Sequence, residues 1–232
     1  ILYKYINKKA SFIIFQNNDD KNYFIDNNLV HKRKAILIKS SGIDTDIYQH
    51  TIYQKTQSPL IVLMIARAIW HKGIKEYYAA ADILKNENVQ FILIGATDEG
   101  NLSCADEKFL TSGNVKWLGH RDDIKHQIDL CDIFVLPSYR EGVPRTLLEA
   151  SSMSKPIVTT DSIGCREVVI DGYNGFLVPV KDEKVLASQI KELIKNQDLR
   201  EIMGKNGRIR ALEEFDIEII AKKYLEVYET II

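Results

Sequence analysis

Two carboxylates and two cations in this chain have the types and spacing that chemistry requires. Glu141 and Glu149 lie eight positions apart across a Gly142-Val143-Pro144 step, and Arg67 and Lys72 lie five apart in the run Ala-Arg-Ala-Ile-Trp-His-Lys-Gly. Either pair alone is explained as solvated loop or helix residues, so their meaning comes from being read together. Residues 132–136, Asp-Ile-Phe-Val-Leu, are a short apolar run of strand type. Pro144 suits a first helical position, because its missing N–H has no intrahelical partner there. This predicts a helix opening near Val143. Its first free N–H groups, on Arg145 and Thr146, would face an anion beyond the strand end, helped by the positive end of the helix dipole. From a turn further along, the Glu149 carboxylate could accept hydrogen bonds from a vicinal diol such as a ribose. Glu141, ahead of the helix, would point into the cleft. Arg67 can hold phosphate oxygens through paired hydrogen bonds and Lys72 acts as a point charge. Together they suit a diphosphate that becomes more negative as its bond breaks.

The elements that must carry these groups follow from periodicity. Apolar strand-like runs at 60–65, 90–94, 115–118, 133–136, 157–160 and 175–178 alternate with helical patterns at 74–84, 122–130, 145–153, 165–170 and 183–195. Strands apolar on both faces and separated by helices imply an α/β fold, a Rossmann-like parallel sheet with helices on both faces. Ligands in such sheets bind beyond the carboxyl ends of the strands, where the basic and glutamate motifs fall. Residues 1–50 read differently, with a strand at 10–15, a short helix at 21–29 and a second strand at 35–38. This is too little for a domain and is expected to be the remnant of a preceding one. A polar connector follows, with 51–58 as the link to a main domain over 59–215. The stretch from Gln197 reads as helical, broken by Gly204 and Gly207, and residues 216–232 as a last amphipathic helix.

Bulk properties exclude several classes. With 232 residues, 45% of them apolar, the chain can bury a sizeable core. Its 31 basic and 32 acidic residues nearly cancel, which points away from nucleic acid and from a strongly basic membrane-surface protein. Cys104, Cys131 and Cys165 are an odd count without metal-ligand spacing, as expected of reduced thiols in the cytoplasm. No apolar run approaches the ~20 residues of a spanning helix. The chain opens on Ile1 rather than Met, in what reads as the middle of an element, so a fragment of a longer protein is expected.

From about Ala10 onward the chain resembles the retaining glycosyltransferases of the GT-B fold, family 4 type (glycosyl transferases group 1), in their donor-binding half. The resemblance is carried by Gly42-Ile-Asp44, Arg67 and Lys72 with Gly73, Trp117-Leu-Gly119, Pro137-Ser138, and Glu141 through Glu149. It continues in Gly164-Cys-Arg-Glu167 and in Asp171-Gly-Tyr-Asn-Gly-Phe-Leu-Val-Pro179. The resemblance implies that Arg67 and Lys72 hold the donor diphosphate while backbone N–H groups of Gly142, Val143, Arg145 and Thr146, around Pro144, contact donor sugar and phosphate. Glu149 would bind the ribose diol, and Glu141 would hydrogen-bond sugar hydroxyls and support an oxocarbenium-like transition state. The nucleobase would lie over Gly119, His120 and Arg121, with Arg121 stacking on the ring. The implied substrate is a nucleotide sugar, a UDP-hexose or UDP-N-acetylhexosamine. It would pass to a saccharide or polyprenyl-linked acceptor in cell-surface polysaccharide assembly, without a metal or other cofactor. The implied location is the cytoplasm at the inner face of the membrane, with peripheral association in the full-length protein. In similar enzymes a preceding domain binds the acceptor, and the final helix packs back toward it. Most of that domain is missing here, so the fragment is expected to bind donor without transferring sugar.

Other readings stay in view. Asp44-Thr-Asp46 has the form of a metal-binding Asp-x-Asp, yet its place beside Gly42 suits a turn or cap residue. A glycosidase would use Glu141 and Glu149 as acid and nucleophile, but has no diphosphate for Arg67 and Lys72 to neutralise. A nucleotide-sugar epimerase, or a non-catalytic binding relative on the same fold, would act without an acceptor. Cys165 is read as a packing residue at a helix start rather than an activated thiol.

Overall fold

The computed structural model describes residues 2–50, 59–98 and 100–231; the connector expected over 51–58 lies outside them. Helix α1 (Leu2–Lys9) leads into β1 (Ile13–Phe15), α2 (Asn18–Asp26) and β2 (Ala35–Leu37). β1 and β2 pair in parallel, with Ile13 opposite Ala35. Asn17 caps α2 by accepting the Asp20 N–H, and Asp19 and Asp20 suit the positive end of the helix dipole. Phe15, Val30 and Ala35 are buried here beneath Phe24 and Leu37, as a hydrophobic cluster of their own.

The rest of the chain alternates strand and helix. β3 (Leu60–Ile65), α3 (Ile74–Ile83), β4 (Val89–Ile94), α4 (Glu107–Leu110), β5 (Val115–Trp117) and α5 (Ile124–Leu130) come first. β6 (Ile133–Leu136), α6 (Arg145–Ser152), β7 (Ile157–Thr160), α7 (Cys165–Val168), β8 (Gly175–Val178) and α8 (Glu183–Lys195) complete the sheet. The strands form one sheet in the order β5-β4-β3-β6-β7-β8, every pair parallel. β6 and β7 are buried along their whole length, which is why they show no alternation in sequence. In this interior the Tyr77 hydroxyl of α3 lies 2.9 Å from the carbonyls of both Val62 and Ile92. After β3 the chain builds outward through β4 and β5, then returns to place β6 on the other side of β3. The connections leaving β3 and β6 therefore diverge, and a crevice opens at the carboxyl ends of these two strands.

Two expectations about the helices need correction. α9 (Gln197–Arg210) runs unbroken through Gly204 and Gly207. These glycines are contact points: a Cβ on Gly204 would lie 2.1 Å from the Ser154 carbonyl oxygen, and the Ser151 hydroxyl donates to the Gly207 carbonyl at 2.9 Å. Close packing of α9 on α6 and its C-terminal turn selects glycine, and no break results. Second, α6 opens at Arg145 rather than near Val143. Pro144 has a helical φ of −72° but an extended ψ of 119°, so it is the N-cap and not the first helical residue.

A π-turn at Ala211–Phe215 leads to α10 (Ile217–Glu229). Its start is bonded to the segment after β2, through the Ile43 N–H to Phe215 O and the Ile217 N–H to Ile43 O, both 2.9 Å. Asp44 serves as a turn residue, as expected, its carboxylate accepting the N–H groups of Asp46 and Ile47. Ile220 of α10 is buried, while Leu225 and Tyr228 are exposed.

Candidate functional site

The crevice between β3 and β6 is closed at its floor by backbone contact. Gly73, at φ +78°, ends the turn after β3, and a Cβ there would stand 2.1 Å from the Pro137 carbonyl oxygen at the end of β6. The Tyr139 N–H then donates to the His71 carbonyl at 2.9 Å. This approach carries Lys72 onto Glu141, Nζ to Oε1 2.5 Å, with the two side chains only 20% and 12% exposed. Two groups 69 positions apart in sequence thus form one largely dry ion pair.

Glu141 is held from a second side by the loop after β7. Its N–H donates to the Ile163 carbonyl at 2.9 Å. Gly164, at φ +85°, presses so closely that a Cβ would meet the carbonyl oxygens of Gly142 and Glu141 at 2.4 and 2.5 Å. Beneath lies Cys165, fully buried, where burial pushes its thiol up and leaves it unsuited to nucleophilic work, as the packing reading expected.

From Glu141 the chain enters α6. The Pro144 carbonyl accepts the N–H groups of Leu147 and Leu148 at 3.1 and 3.4 Å. Among the described residues, the N–H groups of Gly142, Val143, Arg145 and Thr146 have no acceptor. Four amides around a helix start, beside a lysine, make a site for an oxyanion.

The remaining sequence-nominated residues are placed less uniformly. Glu149 is 5% exposed and bonded to the Arg145 Nε at 3.1 Å; burial pushes its carboxyl up, opposed by the Tyr48 hydroxyl and Arg145. Arg67 does not join Lys72: its side chain, 65% exposed, pairs with Asp98 at 2.8 Å. The reason lies in the sheet, since β3 and β4 are neighbours and their ends bring Arg67 and Asp98 together. Gly119 accepts the Gly95 N–H at 2.8 Å, His120 pairs with Asp122 at 3.1 Å, and both are near the surface. Arg121 makes two bonds to Asp123, at 2.8 and 2.7 Å, which hold that carboxyl well below its usual range. Such in-plane pairing leaves the guanidinium faces available for stacking. Among the described residues, no group of three His, Cys, Asp or Glu side chains is placed to hold a metal ion.

Sequence reasoning missed the Lys72–Glu141 pair, the Asp98 partner of Arg67, and Asn17, whose Nδ2 donates to the Gly142 carbonyl at 3.2 Å. The strand order would have exposed the first two, because it names β3 as the neighbour of both β4 and β6.

A family described as glycosyl transferases group 1 matches residues 48–210, more than half of the 232. The chain belongs to that family. The N,N'-diacetylbacillosaminyl-diphospho-undecaprenol alpha-1,3-N-acetylgalactosaminyltransferase of Campylobacter jejuni is 40% identical over 242 residues, spanning 100% of this chain and 63% of that protein. CapM, a capsular polysaccharide biosynthesis glycosyltransferase of Staphylococcus aureus, is 29% identical over 235 residues, 95% of this chain and 62% of its own length. The chain therefore spans less than two thirds of either relative. Among solved structures, Anabaena HepE in complex with UDP and glucose has a TM-score of 0.84 at 22% identity, covering 96% of this chain and 64% of that one. A glycosyltransferase from Rickettsia africae has a TM-score of 0.87 at 20% identity, covering 99% and 66%. The sheet is thus the Rossmann-like layer of a group 1 glycosyltransferase with the GT-B fold, as the motifs implied.

Proposed function

We propose that this chain is the donor-binding part of a retaining, metal-independent glycosyltransferase. It would move a hexose or N-acetylhexosamine from a UDP-sugar to a saccharide or polyprenyl-linked acceptor in assembly of a cell-surface glycan. The observation that carries this reading is the set of four acceptor-free amides flanking Glu141, with Lys72 already against it. A diphosphate laid on those amides draws Lys72 from the carboxylate, and Glu141 is then free to accept hydrogen bonds from sugar hydroxyls at the reacting carbon. Charge growing on the departing diphosphate is met by Lys72, the amides and the helix dipole; Arg67 supplies a second cation by leaving Asp98. Glu149 takes the ribose diol, and Gly119, His120 and Arg121 line the base. The leaving diphosphate itself deprotonates the attacking hydroxyl on the same face.

Residues 2–50 belong, in this reading, to the acceptor side, and transfer is a property of the whole protein. The names of the relatives support the substrate classes: one is a transferase acting on a diphospho-undecaprenol-linked saccharide, and one structure holds UDP and glucose. Among the described residues no helix is long and apolar enough to cross a membrane. The glycosidase reading loses ground because a hydrolase has no diphosphate for Lys72 and the acceptor-free amides of Gly142, Val143, Arg145 and Thr146 to hold.

The test is a screen of UDP-hexoses and UDP-N-acetylhexosamines with the whole protein in the presence of EDTA, with and without saccharide acceptors. UDP release that requires acceptor, with the anomeric configuration retained by NMR, is expected. Conversion of the UDP-sugar without acceptor would establish the epimerase, and a strict need for Mn²⁺ would refute the metal-independent mechanism.

A further inference from the structure

Glu141 is bracketed by contacts from the first turn of α2. On one side Arg140 is ion-paired with Asp20. On the other, the Asn17 Nδ2 donates to the Gly142 carbonyl at 3.2 Å. Asn17 is 1% exposed and fully engaged: its Oδ1 accepts the Asp20 N–H at 2.7 Å and its Nδ2 also reaches Asp20 Oδ2 at 2.8 Å. Helix α7, which follows the loop after β7, is bridged as well, by Asp19 to Arg166 at 3.5 Å and, from the segment after β2, by Lys39 to Glu167 at 3.0 Å. The start of α2 thus touches the loop that carries Glu141 and the helix beside it.

We propose that Asn17 is a positioning residue of the donor site, an inference that rests on the donor reading given under the proposed function. A peptide unit is rigid and trans, so its carbonyl and the following N–H point in opposite directions. Fixing the Gly142 carbonyl on Asn17 therefore aims the Val143 N–H away from α2. That N–H is one of the four amides without an acceptor. The same bond draws electron density toward the carbonyl oxygen, which makes the Val143 N–H a better donor. Asn17 has two jobs, capping α2 with its oxygen and orienting the peptide after Gly142 with its nitrogen, and these can be separated by substitution.

Asn17→Ser keeps an N-cap acceptor of comparable quality but is too short to reach Gly142. Asn17→Asp keeps the cap but sets a buried carboxylate against Asp20 Oδ2 and the Gly142 carbonyl, so its melting temperature is expected to fall and Asn17→Ser carries the test. Both variants, with Lys72→Ala alongside, are titrated with UDP and with UDP-N-acetylgalactosamine by calorimetry and by amide NMR. The expected result for Asn17→Ser is a chain still fully folded at the titration temperature, an upfield move of the Val143 amide proton, and donor affinity lowered about five- to tenfold, the loss of roughly one ordinary hydrogen bond. Asn17→Asp is expected to lose at least as much. An unmoved Val143 resonance and unchanged affinity in both variants would overturn the proposal. Loss of affinity in Asn17→Ser without any move of the Val143 resonance would also overturn it, by showing a capping role alone. If Lys72→Ala weakens donor binding and neither Asn17 variant does, only the Asn17 assignment falls. If Lys72→Ala is also without effect, the donor reading falls and takes the Asn17 assignment with it.

Discussion

Lys72→Ala and Glu141→Gln break the same ion pair, yet they are expected to change UDP affinity in opposite directions. In the free protein Lys72 is bonded to Glu141 at 2.5 Å, and both side chains are mostly withdrawn from water. Binding a diphosphate moves the lysine from one anion to another. Lys72→Ala removes a charge-assisted hydrogen bond worth about 1–3 kcal/mol and leaves Glu141 uncompensated beside the incoming phosphates. The expected loss is about 2 kcal/mol, roughly thirtyfold. Glu141→Gln removes the competing anion. Two unit charges about 5 Å apart at an effective dielectric of about 20 interact by roughly 3 kcal/mol, and Lys72, shared between them, offsets most of this. About 1 kcal/mol remains, a gain of roughly fivefold in UDP affinity. That gain should come with a loss of sugar transfer by the whole protein, since the carboxylate that faces the sugar is gone. Titration calorimetry at fixed ionic strength reads both variants, with thermal melts confirming that each is folded. Equal weakening by the two substitutions would refute the reasoning, because the pair would then be a structural strut. No effect of either would place the diphosphate elsewhere.

Three further outcomes follow from the packing and the charges. Gly164→Ala puts a methyl group into the carbonyls of Glu141 and Gly142 at a φ of +85°. Strain of about 1–3 kcal/mol is expected, with a lower melting temperature and weakened UDP binding together. Gly204→Ala, which in an unconstrained helix would stabilise by up to about 1 kcal/mol, is expected to destabilise by about 1–3 kcal/mol in a denaturant titration, since its Cβ would meet the Ser154 carbonyl. For Glu149, burial raises the folded-state pKa above its ordinary value of 4.5, so the folded chain binds that proton more tightly. The stability it contributes is full below the ordinary glutamate value and is lost as pH rises through the folded value. Glu149→Gln cannot ionise, so the melting-temperature difference should shift in the variant's favour as pH rises above the ordinary glutamate value. A flat difference would show that Arg145 and Tyr48 compensate the burial fully.

Local chemistry made much of this molecule legible in advance. The six strands of the main sheet are short, mostly apolar runs, and each lies within a residue of where the pattern placed it. The helical pattern of α6 was legible too, because its periodicity is local, although Pro144 is its N-cap rather than its first residue. Glycines misled where their reason was not local. Gly204 and Gly207 read as breaks because the surface that presses on them, around Ser151 and Ser154, is some fifty residues away in sequence.

By itself, the sequence determined the alternation of strand and helix, the apolar faces of the sheet, and which carboxylates, cations and amides stand at strand ends. All of these depend on neighbours a few positions away. Only the tertiary structure decided which of those groups meet. Strand order set β3 between β4 and β6, and so gave Arg67 to Asp98 and Lys72 to Glu141 rather than both cations to one anion. The meeting of α2 with the loop after β6 joined Asn17 to Gly142 across 125 positions. Pairing at such distances is selected by the burial and hydrogen-bonding of the whole fold, and no periodicity along the chain records it.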